Sequence, residues 1–369
     1  MANFATEQLK RQRPRADAKY PHLVEHLTAQ IRAGKLCPGD RLPTFVQLQA
    51  KFGVTPQTVN RAMIALEQDG LIVRRPGGGT FILDAPRPRA KGIIGLCGYG
   101  LRRSGSSSYW THLLEVVRSG AEVSGSQILL LPHNVSDGWE KVDGVLISDL
   151  AIPYHCNLIP HLPLVCLFGN QEKRTSIVAD EYSGLRQATE HLLVLGHRRI
   201  AYLHGQNQTN VPKRLKGYND TLREAGITPR KSWLRSLSGK NDFGPQFLDA
   251  GRSGMAEWIS DKGPKGWKEI GCTALLCHND DTAIGALQAL SKAGFKVPDD
   301  VSVIGFDGTQ VGEYSSPRLT SIEMPLQQMG ETAIQILQKQ IGADEVLVEH
   351  HVLPTQLRVR QSTAAPPHH

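Results

Sequence analysis

TPQTVNRAMIALEQDGLIVRRPGGGTFIL, residues 55–83, is the stretch whose reading decides the fold of the first quarter of this chain. Thr55 is a good N-cap, and Pro56 suits the first helical position, where its missing N–H needs no partner. Val59, Met63 and Leu66 then recur at helical spacing, and Gly70 ends the run. The spacing predicts a helix over residues 56–69 that leaves Gln57, Asn60 and Arg61 facing outward on its first turn and a half. Residues 71–75 read as a strand, 76–79 as a Pro/Gly turn, and 80–83 as a returning strand.

Working towards the N-terminus, Leu23, Leu27 and Ile31 make one apolar stripe every four residues, so residues 20–34 read as a helix stopped by Gly34. Residues 36–43 are a tight connection rich in turn formers. Thr44 can cap a short second helix over 45–51, which Gly53 breaks. Three helices followed by a hairpin make a winged helix-turn-helix. In that arrangement the later helix of the pair lies in a major groove with its N-terminal side chains on base edges. Gln57 and Asn60 are chemically suited to adenine, and Arg61 to guanine or phosphate. The glycine-rich wing tip, Gly77 and Gly78, would let backbone approach DNA closely, with Arg74 and Arg75 placed to meet phosphates. The competing reading of Gln57, Asn60, Arg41 and Lys51 is a solvated surface, weightier for the last two. The glycines at 77–79 are not a phosphate-binding P-loop, because no Lys-Ser/Thr follows and no helix opens there.

The charge distribution agrees. Residues 1–91 carry 15 Lys and Arg against 7 Asp and Glu, a net +8. Residues 92–369 carry 27 against 28, a net −1. A basic module on a neutral body points to a polyanion partner for that module alone. No run of about 18 apolar residues is present, and the N-terminus has no apolar core of a secretory signal, so no membrane span or export is expected. The six Cys show no C-x-x-C spacing. A structural zinc site is therefore not expected, and a reduced, cytoplasmic chain is.

The first module resembles the GntR family DNA-binding domain. The resemblance is carried by Gly39-Asp-Arg-Leu-Pro43, Gly53-Val-Thr55, Thr58-Val59, Ala62, Leu66, Gly70-Leu-Ile72 and Gly79-Thr-Phe81. It implies that Thr55, Gln57, Thr58, Gly77 and Gly78 stand at DNA-facing positions. Arg41, Thr44, Asn60, Arg61, Arg74 and Arg75 complete the candidate set. The family often uses arginines on DNA at the positions of Val46, Pro56 and Asn60, and this chain has lost all three.

After a Pro/Arg linker over 85–91, expected to be extended and semi-rigid, the pattern changes. Short apolar runs recur at 92–96, 127–131, 142–147, 164–167, 177–178, 200–203, 274–277 and 301–305. Helical stretches lie between several of them, at 112–123, 184–195, 215–225, 251–260 and 282–292. Alternation of this kind predicts α/β units on mainly parallel sheets, with ligands beyond the carboxyl ends of the strands. The 270 or so residues suffice for two lobes. Between the runs at 127–131 and 142–147 only ten residues remain, short for a parallel crossover. Either the first lobe has lost a helix or these strands are not joined in the usual way.

The body is similar to the effector core of the LacI/GalR family, which resembles periplasmic sugar-binding proteins. The carrying motifs are Val142-Asp-Gly-Val145, Val178-Ala-Asp180 with Gly184, the run 191–201, Arg214-Leu-Lys-Gly-Tyr218, His278-Asn-Asp280, Val297-Pro-Asp-Asp-Val301, Ile304-Gly-Phe-Asp307 and Pro317-Arg-Leu-Thr-Ser-Ile322. The resemblance implies ligand contacts from Arg214, Asn279 and Asp307, with Phe243 as a stacking ring and Asp180 as a cleft residue. Asp, Asn and Arg supply the planar, bidentate partners that adjacent sugar hydroxyls need. Tyr109 and Trp110 follow the first strand and are looser candidates. Asp180 could equally cap a helix starting near residue 182, and Asp280 one starting at 282.

The domains expected are therefore a winged helix-turn-helix at 15–84, a linker at 85–91, an effector-binding α/β body at 92–360 and a tail at 361–369. A GntR-type head on a LacI-type body resembles the arabinose-repressor type of regulator. That implies a homodimeric, cytoplasmic repressor of carbohydrate metabolism, binding double-stranded operator DNA under control of a small sugar held between two lobes. A nucleobase or sugar phosphate as effector, or activation in place of repression, is the alternative. A transport protein would need no DNA head. An enzyme would need a catalytic constellation; no serine elbow, metal-ligand spacing or distinctive acid pair is present, so no catalytic residue, metal or cofactor is expected.

Overall fold

The computed structural model describes residues 19–32, 35–69, 71–75, 78–83, 92–98, 108–132, 138–148, 162–169, 173–205, 210–237, 246–261, 266–341, 343 and 346–367. The chain divides into two compact units, Met1–Lys91 and Gly92–His369.

The first unit contains α1 (Lys19–Arg32), α2 (Phe45–Phe52) and α3 (Pro56–Gln68), followed by β1 (Ile72–Arg75) and β2 (Gly79–Ile82), which pair antiparallel. Leu23, Leu27, Leu48, Val59, Met63, Leu66, Ile72 and Ile82 are buried in one cluster. The apolar stripes thus converge on a single core. Local chemistry sets the helix ends. The Thr44 side chain accepts from the Gln47 N–H while the Gln47 side chain accepts from the Thr44 N–H, a reciprocal capping box. Gly53 closes α2 in the left-handed region at φ 59°. Residues 39–42 fasten onto the hairpin: Gly39 N–H donates to Ile82 O at 3.0 Å and Leu42 N–H to Thr80 O at 2.8 Å. Gly79 is required by its backbone: its φ is +107°, and the Arg41 guanidinium lies against it.

The second unit begins β3 (Ile93–Cys97), α4 (Ser108–Val123), β4 (Gln127–Leu131), β5 (Gly144–Ser148), β6 (Leu164–Leu167), β7 (Thr175–Ala179) and α5 (Glu181–Val194). It continues β8 (Ile200–His204), α6 (Val211–Glu224), β9 (Leu234–Ser236), α7 (Gln246–Ser260), α8 (Trp267–Ile270), β10 (Ala274–Cys277) and α9 (Asp280–Lys292). It ends β11 (Ser302–Asp307), α10 (Gln310–Glu313), β12 (Thr320–Glu323), α11 (Leu326–Gln340), β13 (His350–Leu353) and β14 (Gln356–Arg358). Two sheets result, ordered β4-β3-β5-β6-β7-β13 and β9-β8-β10-β11-β12-β14. All pairings are parallel except β12 with β14. Strands β5, β7 and β10 are buried along their whole length; β5 and β10 accordingly read as apolar runs rather than alternating ones, while β7 opens on buried Thr175 and Ser176 and reads as apolar only at 177–178. The fold is therefore α/β with two parallel-sheet lobes, preceded by a winged helix-turn-helix.

Strand order locates the ligand crevices. In the first sheet the chain goes from β3 out to β4, then returns on the other side of β3 as β5. In the second it goes from β8 out to β9 and returns as β10. Each reversal leaves an opening outside the carboxyl ends of the two diverging strands.

Several expectations need correction. The helices start earlier than apolar periodicity suggests, at 108, 181, 211, 246 and 280; those at 181 and 280 follow the polar caps Asp180 and Asn279. Asn279, not Asp280, caps α9, its Oδ1 accepting from Thr282 N–H at 2.9 Å. The short link between β4 and β5 crosses over β3, and its described residues form only a 3-10 turn, Trp139–Lys141. Trp139 is 2% exposed and packs with Cys97, Leu131, Val145, Ile147 and Cys166. One large ring covers the sheet surface at this short crossover, in line with the lost helix among the two alternatives. The segment 361–369 is not simply a tail. Ser362 is fully buried, exchanging hydrogen bonds with Val303, and Ala364 N–H donates to Ser302 Oγ at 3.0 Å. The linker at 85–91 lies outside the described residues.

Candidate functional site

In the first unit α3 presents Gln57, Asn60 and Arg61 at its exposed N-terminal half. Thr55 accepts from Thr58 N–H at 3.3 Å. Thr58 itself is 5% exposed and shares a 2.9 Å hydroxyl contact with Thr55. It is a packed capping partner rather than an outward group, which corrects its place in the candidate set. Thr44 is exposed but spends its side chain on the α2 cap. Arg61 lies over the Tyr20 ring at 4.9 Å, and Arg75 over the Phe81 ring at 4.9 Å. Arg41 lies against Gly79 and bridges Phe81 by backbone pairing, which ties it to the wing. Arg74 departs furthest from expectation. Its Nε sits 3.2 Å from the Glu67 carboxylate, and its Nη1 donates to Asn60 Oδ1 at 3.2 Å. It braces the recognition helix instead of standing open for a phosphate. Gly78 lies at the described edge of the wing, and Gly77 falls outside the described residues.

In the second unit the carboxyl ends of the strands collect polar groups. Arg214, on the first turn of α6, is 2% exposed. Its Nε donates to the Glu181 carboxylate and its Nη1 to the His278 carbonyl oxygen. The guanidinium carbon stacks 3.5 Å from the Phe306 ring centroid. Burial works against its charge, but Glu181, Tyr202 and Asp307 outweigh burial and the pKa rises. Asp307 closes β11 with φ +108°, a conformation an L-residue rarely adopts. Burial, then repulsion from Asp280, holds its carboxyl well above the ordinary value against the pull of Arg214. Asp280 is fully buried; it accepts from Thr309 N–H at 2.6 Å, Thr309 Oγ1 at 2.9 Å and Ser321 Oγ. Burial nevertheless pushes it up to about 6. His278, between β10 and α9, is held well below its usual pKa by burial and then by Arg214 and His204. Its ring lies 5.4 Å from that of Phe247.

Two buried polar atoms stand at the two reversals of strand order. Ser148 Oγ ends β5, and His278 Nδ1 follows β10; neither has a hydrogen-bond partner among the described residues. A buried polar atom left unpaired costs about 1–3 kcal/mol, so such atoms are retained where something else completes them. Tyr109, Trp110 and Phe168 form a cluster at the same end of the first lobe, with centroids 5.4–6.0 Å apart. Asp180 caps α5, its two oxygens accepting from Ser183 N–H at 2.9 Å and Ser183 Oγ at 2.6 Å. Asn279 likewise spends Oδ1 on its cap and keeps only its amide N–H groups. Phe243 lies outside the described residues. Glu181, Phe306, Ser148 and Glu67 were not singled out in the sequence. The roles of Glu181 and Phe306 depend on Arg214, distant along the chain, that of Ser148 on strand order, and that of Glu67 on Arg74 across the turn into the wing. Among the described residues no cluster of three or more His, Cys, Asp or Glu is placed to hold a metal ion.

Comparison with known proteins agrees with both halves of this geometry. Residues 19–82 match the bacterial regulatory proteins of the gntR family, and residues 189–363 match a periplasmic binding protein-like domain. The chain joins a GntR-family helix-turn-helix to a periplasmic-binding-protein-like effector core. It is 25% identical over 367 residues to the arabinose metabolism transcriptional repressor of Geobacillus stearothermophilus, covering 94% of this chain and 97% of that one. It is 30% identical over 258 residues to the transcriptional regulator GalS of Salmonella typhimurium, covering 69% and 66% respectively. Its fold is similar to a LacI family transcriptional regulator from Enterococcus faecium with bound ribose: TM-score 0.62, 25% identity, 74% of this chain and 99% of that one. The chain is a DNA-binding transcriptional regulator. Among the described residues no helix is long and apolar enough to cross a membrane.

Proposed function

We propose that this regulator is a cytoplasmic repressor of carbohydrate metabolism, without catalytic activity, whose grip on operator DNA is set by a small uncharged sugar. The reading rests above all on the unpaired Ser148 Oγ and His278 Nδ1 at the two strand-order reversals, His278 also accepting from Arg214 through its carbonyl oxygen. Convergent polar groups flanked by aromatic rings suit a polyol with one apolar face. The full-length similarity to an arabinose metabolism repressor supports a carbohydrate effector. The charge balance disfavours a sugar phosphate. Arg214 is matched by Glu181 and flanked by Asp307, and His278 is kept neutral, so an anion would meet no unmatched cation among these groups. Two copies pair and present two heads to a near-palindromic operator. Sugar binding shifts the lobes and with them the heads, and by linkage sugar and DNA then oppose each other by one common factor.

Calorimetric titration with neutral pentoses and hexoses, sugar phosphates and purines tests this. One neutral sugar is expected to bind, and Ser148→Ala and Asp307→Asn should each weaken it about tenfold, the value of one good hydrogen bond. Fluorescence anisotropy with operator DNA should show a reciprocal loss. Binding of a phosphate or purine alone, or operator affinity indifferent to the bound sugar, would overturn the proposal.

A further inference from the structure

The Glu67–Arg74–Asn60 chain on the outer face of α3 carries information beyond DNA binding in general. Asn60 and Glu67 are seven residues apart, two turns along one helix face. Arg74, from the first strand of the wing, lies between them: Nε meets the Glu67 carboxylate and Nη1 donates to Asn60 Oδ1. Arginine has no acceptor, so only the carbonyl oxygen of the carboxamide can face it. That settles which way the Asn60 amide points: Oδ1 towards the wing, the two amide N–H groups away from it. The side chain is exposed on the half of the helix that would enter a groove.

An asparagine left free reads adenine in bidentate fashion, accepting from N6 and donating to N7. Here the accepting oxygen is already engaged, and a guanidinium beside it repels the amino groups of adenine and cytosine. The donor edge is untouched. Guanine offers N7 and O6, and thymine offers O4, as acceptors with no major-groove amino group beside them, whereas adenine's N7 stands next to its N6 amino group. We infer that Arg74, braced by Glu67, positions Asn60 as a hydrogen-bond donor, so that the recognition helix selects guanine or thymine over adenine at the base Asn60 meets. This rests on the proposed placement of α3 in the major groove. Arg74 touches no base; it is a positioning residue that acts through Asn60.

The experiment is selection from randomised duplexes by the full-length protein, followed by competition titrations at each position. Four proteins are compared: the unaltered chain, Asn60→Ala, Gln57→Ala and Glu67→Gln/Arg74→Met, the double substitution removing both charges together. Thermal unfolding of each checks that the fold persists. The unaltered protein should prefer guanine or thymine over adenine about fivefold at one position, the value of one net hydrogen bond. Asn60→Ala should flatten that position alone. The double variant should turn it towards adenine, because Oδ1 is released, whatever happens to overall affinity. Adenine preferred there by the unaltered protein, or a preference that the double variant leaves unchanged, would overturn the inference. So would an Asn60→Ala profile identical to the unaltered one while Gln57→Ala changes a position. If neither Gln57→Ala nor Asn60→Ala alters any position, the groove placement of α3 itself is wrong.

Discussion

Asp280 should make the effector unit lose stability as pH rises through the mildly acidic range. The carboxyl is fully buried behind β11 and is held at about 6 in the folded chain, against an ordinary value of 3.8. An acid whose folded value lies above its unfolded value binds more protons when folded, so stability is full below the unfolded value and falls as pH climbs to the folded one. The whole difference is worth about 3 kcal/mol, at 1.36 kcal/mol for each factor of ten. Roughly 1.4 kcal/mol of it falls between pH 5 and pH 7.5. Asp280→Asn removes the titration with little change in shape. The amide oxygen can still accept from Thr309, and the Ser321 hydroxyl can turn to accept from the amide nitrogen. All five tryptophans lie beyond residue 91, so tryptophan fluorescence during urea unfolding reports this unit alone. The variant's advantage over the unaltered chain should grow by about 1–2 kcal/mol from pH 5 to pH 7.5. Release of Asp307 from Asp280 repulsion adds in the same direction. Subtracting the two curves cancels the histidines, which titrate in both proteins. A difference that stays flat, or shrinks as pH rises, would refute the reasoning.

Trp139→Ala should cost about 3–5 kcal/mol in the same unfolding assay, because no helix among the described residues between β4 and β5 can collapse into the space left. Arg214→Met should cost about 3–5 kcal/mol by leaving the Glu181 carboxylate buried without its partner, whereas Glu181→Gln/Arg214→Met should recover most of that loss. A double variant no more stable than the single one would show that Arg214 contributes packing on Phe306 rather than charge pairing.

The sequence carried whatever is encoded within a few neighbouring residues. Thr44 and Thr55 as caps, the Val59–Met63–Leu66 stripe and the wing strands need only local chemistry, and all are present. Strands such as β6 and β10, buried on both faces, are legible as unbroken apolar runs. Helix starts were not, since a polar first turn carries no apolar period; α5 and α9 open on the caps Asp180 and Asn279. Helix α11 carries a helical period of its own in Leu326, Met329, Ala333 and Leu337. Strands β13 and β14 had little signal, being three or four residues long and partly exposed. Trp139 could not be assigned, because its task depends on β3 lying between β4 and β5. The site residues divide in the same way. Arg214, Asn279 and Asp307 sit in recognisable motifs, but Glu181, Ser148 and Phe306 acquire meaning only from strand order.

A common device in the two units shows why residue type alone misleads. Two of the arginines that the sequence offers as contacts, one in each unit, have a carboxylate of their own: Arg74 has Glu67 and Arg214 has Glu181. A guanidinium so matched supplies directed N–H groups and a flat face, not net charge. The salt dependence of DNA binding must then come from cations such as Arg41, Lys51 and Arg75, each of which displaces about one counterion where it meets a phosphate. Arg75→Ala should therefore reduce the salt slope by about one, and removing Arg74 together with Glu67 should leave the slope nearly unchanged. An uncharged sugar meeting the matched Arg214 should bind with almost the same affinity at low and high salt, since a neutral ligand leaves little for ions to screen. Affinity for DNA and affinity for effector would thus respond to ionic strength in separate ways, although linkage couples the two ligands through the same chain.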